Sequence, residues 1–345
     1  MLRLPRFRMV EPTTWSEAAT LLREHGAARS DAGLGTPSVP VMLVAGGTDL
    51  FPNMKRRQFS PQVLISLGRV EGAREISNGS LRARGSLPPG LRIGAGATLT
   101  DIAAHPTVVA KYTALAQAAG AVSTPQLRNM GTIGGNLCLD TRCNWYDQSL
   151  FWRTAEGYCM KTHPSVVCRV APSSPRCLAV ASADTVPALI ALGAKVGVEN
   201  ADGHRELDLA ELYREDGIRY LAIGRDDIVV SVTLPDAAGW RSTYLKLRDR
   251  NSFDFPIAGV AAAVRFDGGT VVDARIAITA LASRPVAIDA KALIGSKLDD
   301  DAIAAAADAV HKAARPMDNT SGTISQRKRA SRVFTERALR SLRDA

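Results

Sequence analysis

The order of apolar runs predicts an α+β fold with a separate final domain. Up to Pro235, strand-like and helix-like runs are mixed. Past a short segment, Pro235 to Trp240, three strand-length runs follow one another and helices close the chain. A chain of 345 residues with 46% hydrophobic content is long enough for two or three units with real cores.

Taken in order, Thr14 with Glu17 three residues later forms a capping-box pattern. It opens a helix over TWSEAATLLREHG that Gly26 closes. The small, polar stretch from there to Pro40 reads as a loop. VMLVA (41–45) is an apolar strand running straight into GGTDL, and VLISL (63–67), SLRARG (80–85) and LRIGA (91–95) read as further strands. Helices are expected at about 99–104 and 108–119, with an irregular, glycine-rich region from Ser123 to Arg142. A short helix at 185–192 precedes the strands KVGVEN and RELDL, which flank a turn at Asp202-Gly203. DIVVSVTLP (227–235) ends this unit. STYLKLRDR, IAGVAAAVRF and VVDARIAITAL are three strands, the last two joined through Asp267-Gly268-Gly269, and two or three helices follow.

Several function classes are excluded by composition. No apolar run approaches the ~18–20 residues of a membrane span. The start, MLRLPRFRMVEP, is broken by arginines and a proline, so it lacks the apolar stretch of a signal peptide and the cytoplasm is the expected location. Reduced cysteines are expected there, used for metal or redox chemistry rather than disulfides. A net charge of +9 invites a nucleic-acid reading, and eight Arg/Lys lie between Arg315 and Ala345. Only Phe334 is aromatic in that stretch, so no base-stacking platform is present. A terminal amphipathic helix with a solvated basic face is favoured instead, its buried stripe made by Phe334, Ala338 and Leu342. The five histidines (His25, His105, His163, His204, His311) are scattered and read as surface or cap residues. Neither a nucleophile elbow nor a HExxH motif occurs, and no catalytic residue is assigned.

Two glycine turns carry the first functional signal. VAGGTDL (44–50) places two glycines directly after a buried strand, where successive backbone N–H groups suit a phosphate or pyrophosphate. GTIGGN (131–136) has similar chemistry, and Asn136 could orient a carbonyl or hydroxyl through its two-sided amide. GAGATL (94–99) lacks the third glycine of a dinucleotide fingerprint and no GK[ST] follows any glycine cluster, so a Rossmann or P-loop site is disfavoured. Together the two turns suggest an extended ligand, such as a dinucleotide, held by backbone from both sides. On this reading Gly46 and Gly135 are glycines because a side chain would occupy the pyrophosphate's approach.

The second signal is the cysteines, all five of which lie between 138 and 177. Cys143, Cys159, Cys168 and Cys177 follow at intervals of 16, 9 and 9, among Trp145, Tyr146, Phe151, Trp152 and Tyr158. Four thiolates in an aromatic shell suit an iron–sulfur cluster. With no CxxC pair, spacing leaves iron–sulfur and zinc level, and unligated core cysteines a little behind. Cys138, two residues past Asn136, reads as a small residue packed beside the glycine-turn ligand rather than as a fifth thiolate.

VAGGTDL, IGAGATLTDIA, QLRNMGTIGGN, SADTVPALIALGA, DIVVSVTLP, YLKLRDRNSFDFPIAGVAAAV and ITALASRP resemble the flavin-binding (medium) subunit or domain of the xanthine oxidase family of molybdenum hydroxylases. The likeness covers essentially the whole chain. It implies a two-subdomain FAD-binding fold of the vanillyl-alcohol-oxidase/CO-dehydrogenase flavoprotein type. An FAD-binding domain would span 1–235 (subdomains about 1–60 and 61–235) and a flavoprotein C-terminal domain 236–345. By position, Leu43, Val44, Ala45, Gly46, Gly47, Thr48, Asp49 and Leu50 would wrap the FAD pyrophosphate, and Gly131, Thr132, Gly135 and Asn136 would hold it from the second turn. Asp184 would bind the adenosine or ribityl side, and Lys246 would sit near the isoalloxazine.

Relatives run from the GGN turn almost directly to the aspartate matching Asp184. The intervening insertion, about residues 139–180, resembles that of the beta subunits of 4-hydroxybenzoyl-CoA reductases, which carry a 4Fe–4S cluster there. That resemblance implies Cys143, Cys159, Cys168 and Cys177 as ligands. It also implies an electron-transfer subunit, substrate chemistry on a molybdenum-binding large subunit, a 2Fe–2S small subunit and a dimer of heterotrimers. Ferredoxin or another carrier would supply electrons for reductive dehydroxylation of an aromatic CoA thioester. The alternative is the flavin subunit of a hydroxylase of another aromatic or N-heterocyclic substrate.

Overall fold

The computed structural model describes residues 2–26, 39–78 and 90–345. Among these residues twelve strands form three sheets. The first is parallel and ordered β1-β3-β2, from β1 (Arg8–Val10), β2 (Val41–Val44) and β3 (Val63–Ser66). The second comprises β4 (Ile76–Asn78), β5 (Gly90–Gly94), β6 (Lys195–Asn200), β7 (Gly203–Asp208) and β8 (Ile228–Pro235), in the order β4-β5-β8-β6-β7 with every pairing antiparallel. The third comprises β9 (Trp240–Leu247), β10 (Ala258–Asp267), β11 (Thr270–Thr279) and β12 (Val286–Ile288), in the order β12-β11-β10-β9. The final sheet therefore has four strands rather than the expected three. The addition, β12, is three residues long and pairs Val286 with Ile278, too short a run to stand out as a periodic signal. The expected strand at 80–85 lies outside the described residues, as does most of the loop before Pro40. β3 pairs between β1 and β2, so the first unit runs past residue 60.

The eleven helices among the described residues begin with α1 (Trp15–Gly26), which buries Ala18, Ala19 and Leu22 against Val41, Val63 and Ile65 of the first sheet and Ile228 and Val230 of β8. Thr14 caps it as its Oγ1 accepts from Glu17 N–H at 3.1 Å; Glu17 reaches back to Thr13 N–H, one residue beyond the cap position the pattern implies. α2 (Leu50–Lys55) follows the first glycine turn. α3 (Leu99–Ala104), α4 (Pro106–Lys111) and α5 (Thr113–Ala121) pack on the second sheet. Tyr112, whose φ of −125° and ψ of 51° are not helical, splits into α4 and α5 what the sequence suggested as one helix over 108–119. Within the region expected to be irregular lie two short helices, α6 (Pro125–Arg128) and α7 (Ile133–Leu137). α8 (Leu150–Ala155) sits in the cysteine loop and α9 (Thr185–Ala191) beyond it. α10 (Asp300–Ala313) and α11 (Ile324–Arg343) close the chain.

β10 shows why the final sheet joins the two units. Ala258, Val260, Ala262 and Val264 face α10 and α11, while Ala261 and Ala263 face the core around α5 and α9. Burial on both faces turns the alternation of an ordinary antiparallel strand into the continuous apolar run AGVAAAV.

On α11 the buried face is Arg327, Ser331, Thr335, Ala338, Leu339 and Leu342; Phe334, expected in the stripe, is only partly buried. Arg327 leaves the basic face altogether. Its guanidinium donates to the carbonyls of Ile257 (3.2 Å), Met317 (2.7 Å) and Ala280, and burial lowers its pKa to about 10.

Candidate flavin cleft and cysteine cavity

Two turns distant in sequence meet at one cleft. The first leaves β2 through Ala45, Gly46 and Gly47. The second opens α7, where the Thr132 Oγ1 accepts from Gly135 N–H at 3.1 Å. Backbone bonds pin the second turn to residues 95–99: Ile133 N–H to Ala97 O (3.0 Å), Gly134 N–H to Ala95 O (2.8 Å) and Leu99 N–H to Gly131 O (2.9 Å). The turns touch each other at Gly46, where a Cβ would overlap the Met130 carbonyl. Gly47 has φ 68° and packs against the Phe51 ring. Gly46 is thus a glycine because one chain segment must approach another, which corrects the reading that assigned its small size to a bound pyrophosphate. Gly135 differs: outside its own helix backbone, a Cβ there would meet only Thr132 Oγ1, at 3.1 Å.

The cleft holds about 1210 Å³ of space, counting its open mouth. Every residue from Leu43 to Leu50 lines it, with Gly131, Thr132, Gly135, Asn136 and Asp184. Asn136 has its carbonyl half committed inside the protein, accepting from Thr185 Oγ1 (2.6 Å) and Thr185 N–H (3.2 Å), so only the amide N–H₂ remains for a ligand. Asp49 is held by Arg142 and by Asn53 Nδ2 (2.8 Å). That pairing neutralises a carboxylate which would otherwise repel an anion in the first turn.

Asp184 and Lys246 do come together, but not as expected. The Asp184 carboxylate accepts from Lys246 Nζ at 2.9 Å and Tyr244 Oη at 2.7 Å, and both members of the ion pair are 4% exposed. Lys246 also donates to Ala121 O (3.0 Å) and does not line the cleft. Lys246 therefore reaches the cleft through Asp184, which lines it, rather than lining it itself. Burial pushes the Asp184 carboxyl above the usual carboxylate range, with the Lys246 ammonium and Tyr244 hydroxyl pulling the other way.

Sequence reasoning missed the rim. Ser123, Tyr220, Phe253, Asp254 and Phe255 line the cleft. Ser123 (φ 45°) and Phe253 (φ 70°) are both left-handed, and Phe253 N–H donates to Ser123 O at 2.9 Å. A phenylalanine in that conformation is strained, and 60% exposure of its ring marks a group held at the mouth. The available signal was the pair of phenylalanines alternating with Asp254 before Pro256.

A second cavity is lined by Cys143, Cys159, Cys168 and Cys177, with Trp145, Tyr146, Lys161 and Arg169 among its walls. Each of the four cysteines is buried, between 6% and 8% exposed. Turns present them: Tyr146 and Asp147 N–H both donate to Cys143 O at 2.9 Å, Thr162 and His163 N–H to Cys159 O at 2.9 Å, and Gly217 N–H to Cys177 O at 2.7 Å. A Cβ at Gly217 would lie 2.7 Å from the Cys177 sulfur, so a bare backbone is required there. Burial pushes the Cys143 thiol up to about 12 and the Cys177 thiol to about 11. Among the described residues no three His, Cys, Asp or Glu side chains are gathered closely enough to hold a single metal ion. The four sulfurs surround a space rather than a point. Cys138 is not among them. It caps the end of α7 and lines the flavin-side cleft, its thiol pushed up to about 12 by burial. Arg142 ties the two regions, pairing with Asp49 in the first turn and with Asp147 (3.4 Å) in the cysteine loop.

Comparison with known proteins places this geometry. The family described as the FAD binding domain in molybdopterin dehydrogenase matches residues 5–237, and the CO dehydrogenase flavoprotein C-terminal domain matches 242–342. The chain is 32% identical to the aldehyde oxidoreductase FAD-binding subunit PaoB of Escherichia coli K12, over 76% of this chain and 81% of that protein. It is 29% identical to the carbon monoxide dehydrogenase medium chain of Hydrogenophaga pseudoflava, over 97% and 96%. A solved structure of carbon monoxide dehydrogenase from H. pseudoflava superposes with a TM-score of 0.75 at 26% identity, covering 99% of this chain and 98% of that one.

Proposed function

The chain belongs to the FAD-binding medium subunits of the xanthine oxidase/CO dehydrogenase family, and from that premise we propose that it is an electron-transfer subunit carrying FAD and a 4Fe–4S cluster. As a member it is an oxidoreductase subunit that binds FAD. The residues of the two turns, Ala45–Leu50 and Gly131–Asn136, would hold the pyrophosphate, and Asp184 the adenosine or ribityl side. Cys143, Cys159, Cys168 and Cys177 would hold the cluster. FAD accepts or gives electrons singly or in pairs, which couples one-electron centres to a two-electron reaction. This chain's own residues supply position and environment: Lys246 and Tyr244 orient Asp184, Arg142 neutralises Asp49, and Trp145 and Tyr146 line the cysteine cavity, whereas Phe151, expected in the same shell, is exposed.

The observation that carries the cluster is the convergence of four buried cysteines, spread over 35 residues of chain, on one cavity beside the cleft. Zinc is the lesser reading. The likeness of the insertion is to subunits that carry an iron–sulfur cluster, and four cysteine thiolates are the ligand set that such clusters take. The fifth cysteine lies on the other side of the boundary, in the flavin cleft.

Partners follow from relatives named as medium chains and FAD-binding subunits of larger enzymes. A molybdenum-binding large subunit and a 2Fe–2S small subunit would complete the complex, as a dimer of heterotrimers in the cytoplasm. None of the described helices is long and apolar enough to cross a membrane. Likeness of the cysteine insertion to that of 4-hydroxybenzoyl-CoA reductases supports reductive dehydroxylation of an aromatic CoA thioester, with ferredoxin or another carrier feeding the cluster. A hydroxylase is the second reading, favoured by relatives named as aldehyde oxidoreductase and nicotinate dehydrogenase subunits.

The test is compositional. Anaerobically purified protein should contain one FAD, released entirely by acid, and four iron with four acid-labile sulfide. Zinc in place of iron would sink the cluster assignment, and colour retained in the acid pellet would sink the assignment of a non-covalently held FAD. Assay of the copurifying complex with aromatic CoA thioesters then separates the reductase from the hydroxylase reading.

A further inference from the structure

One buried ion pair forms the wall between cleft and cavity. Asp140 lines the flavin cleft and Lys161 lines the cysteine cavity. Lys161 Nζ donates to Asp140 Oδ1 and to Thr141 Oγ1, both at 2.6 Å, and the pair's side chains are 7% and 10% exposed. The ammonium also stands 4.4 Å from the centre of the Tyr146 ring and 5.8 Å from that of Tyr220, whose hydroxyl donates to Cys138 O at 3.1 Å. Thr141 is fixed in turn: its hydroxyl donates to Gly217 O at 2.6 Å, the residue whose backbone supports Cys177. The lysine is therefore clamped from several sides. Its partner is less satisfied, because Asp140 Oδ2 is buried with no hydrogen-bond partner among the described residues.

A buried pair of this kind is a poor stabiliser; apolar residues of similar size often do as well or better. A fixed charge in a low-dielectric wall does have one strong effect, which is on any neighbouring group that changes charge. The cavity that the four cysteines line is such a place, since iron–sulfur potentials respond to nearby charge, hydrogen bonding and burial. We propose that Lys161 raises the reduction potential of the cluster held by the four cysteines, and that Asp140, from the flavin side, sets how much of that charge the cluster feels. The inference rests on the cluster reading above. The reduced cluster carries one more electron than the oxidised one, so a cation beside it favours reduction and the opposing carboxylate offsets the effect.

The test uses full-length wild-type protein, first assayed for iron and sulfide, and the variants Lys161→Met, Asp140→Asn and Lys161→Arg. The cluster midpoint is read by potentiometric titration followed by EPR. The expected results are a lower midpoint in Lys161→Met, a higher one in Asp140→Asn, and a value near wild type in Lys161→Arg. Opposite signs are the signature of charge, because loosened packing would not move the two variants in opposite directions. Shifts of the same sign, or full iron with no shift in both, would overturn the role of the pair while leaving the cluster standing. If Lys161→Met does not fold, the decision passes to Asp140→Asn: a raised midpoint supports the proposal and an unmoved one overturns it. Wild-type protein without iron would overturn the cluster reading and this inference together.

Discussion

Gly46 and Gly135 stand a few ångströms from the same ligand space yet serve different ends. A side chain at Gly46 collides with the Met130 carbonyl, so Gly46→Val should separate the two turns and lower thermal stability as well as flavin content. Gly135→Ala should spare the fold and act on the ligand alone, because its Cβ meets only the Thr132 hydroxyl outside the helix backbone. Melting curves beside flavin-to-protein ratios for the two variants check this; equal melting points would show that the Gly46 contact is dispensable. The cysteines divide in the same way. Cys138→Ala should keep iron and FAD, since its thiol lines the cleft, whereas alanine at Cys143, Cys159, Cys168 or Cys177 should abolish the cluster's EPR signal. Loss of iron in the Cys138 variant with full iron in the Cys143 variant would reverse the boundary. The separation of Cys138 from the other four cysteines was legible in the sequence, because two residues of separation from Asn136 leave it little freedom.

Among the elements, α11 departs most from the reading of its pattern. The apolar spacing of Phe334, Ala338 and Leu342 suggested the stripe, but the face that packs is offset and includes Arg327. Nothing local marks one of eight Arg/Lys as buried; the three carbonyls that receive it come from Ile257, Ala280 and Met317, brought together by the start of β10, the end of β11 and the chain before α11. Arg327→Met should leave those carbonyls unpaired at about 1–3 kcal/mol each, so a loss of several kcal/mol in chemical denaturation is expected. A change below ~1 kcal/mol, within the usual range of a surface substitution, would mean that solvent reaches the site. Short elements were hidden for a different reason. α6, α7 and β12 have three to five residues each, less than one or two periods of any pattern, and their caps or pairings define them instead.

For the molecule as a whole, the flavin cleft and the cysteine cavity share a wall, and the relatives that the chain matches are named as subunits or medium chains of larger enzymes. Purified alone, the chain should pass electrons to dyes but turn over no aldehyde, N-heterocycle or aromatic CoA thioester. Steady turnover of any of these by the single chain would refute its role as a subunit. The sequence by itself determined what is written within a few neighbouring residues: strands running into glycine turns, the cap of α1, the break at Pro235, and four cysteines confined to one loop. Those signals depend on backbone conformation and local spacing, which short stretches of chain specify. Only the tertiary structure decided which distant groups meet. It set Lys246 behind Asp184, Arg142 between Asp49 and Asp147, Phe253 on Ser123, and Lys161 against Asp140. Each of these pairings, apart from the neighbouring Asp147, joins residues 21 or more positions apart. Their partners are chosen by how three sheets pack, a choice that no local pattern of residues encodes.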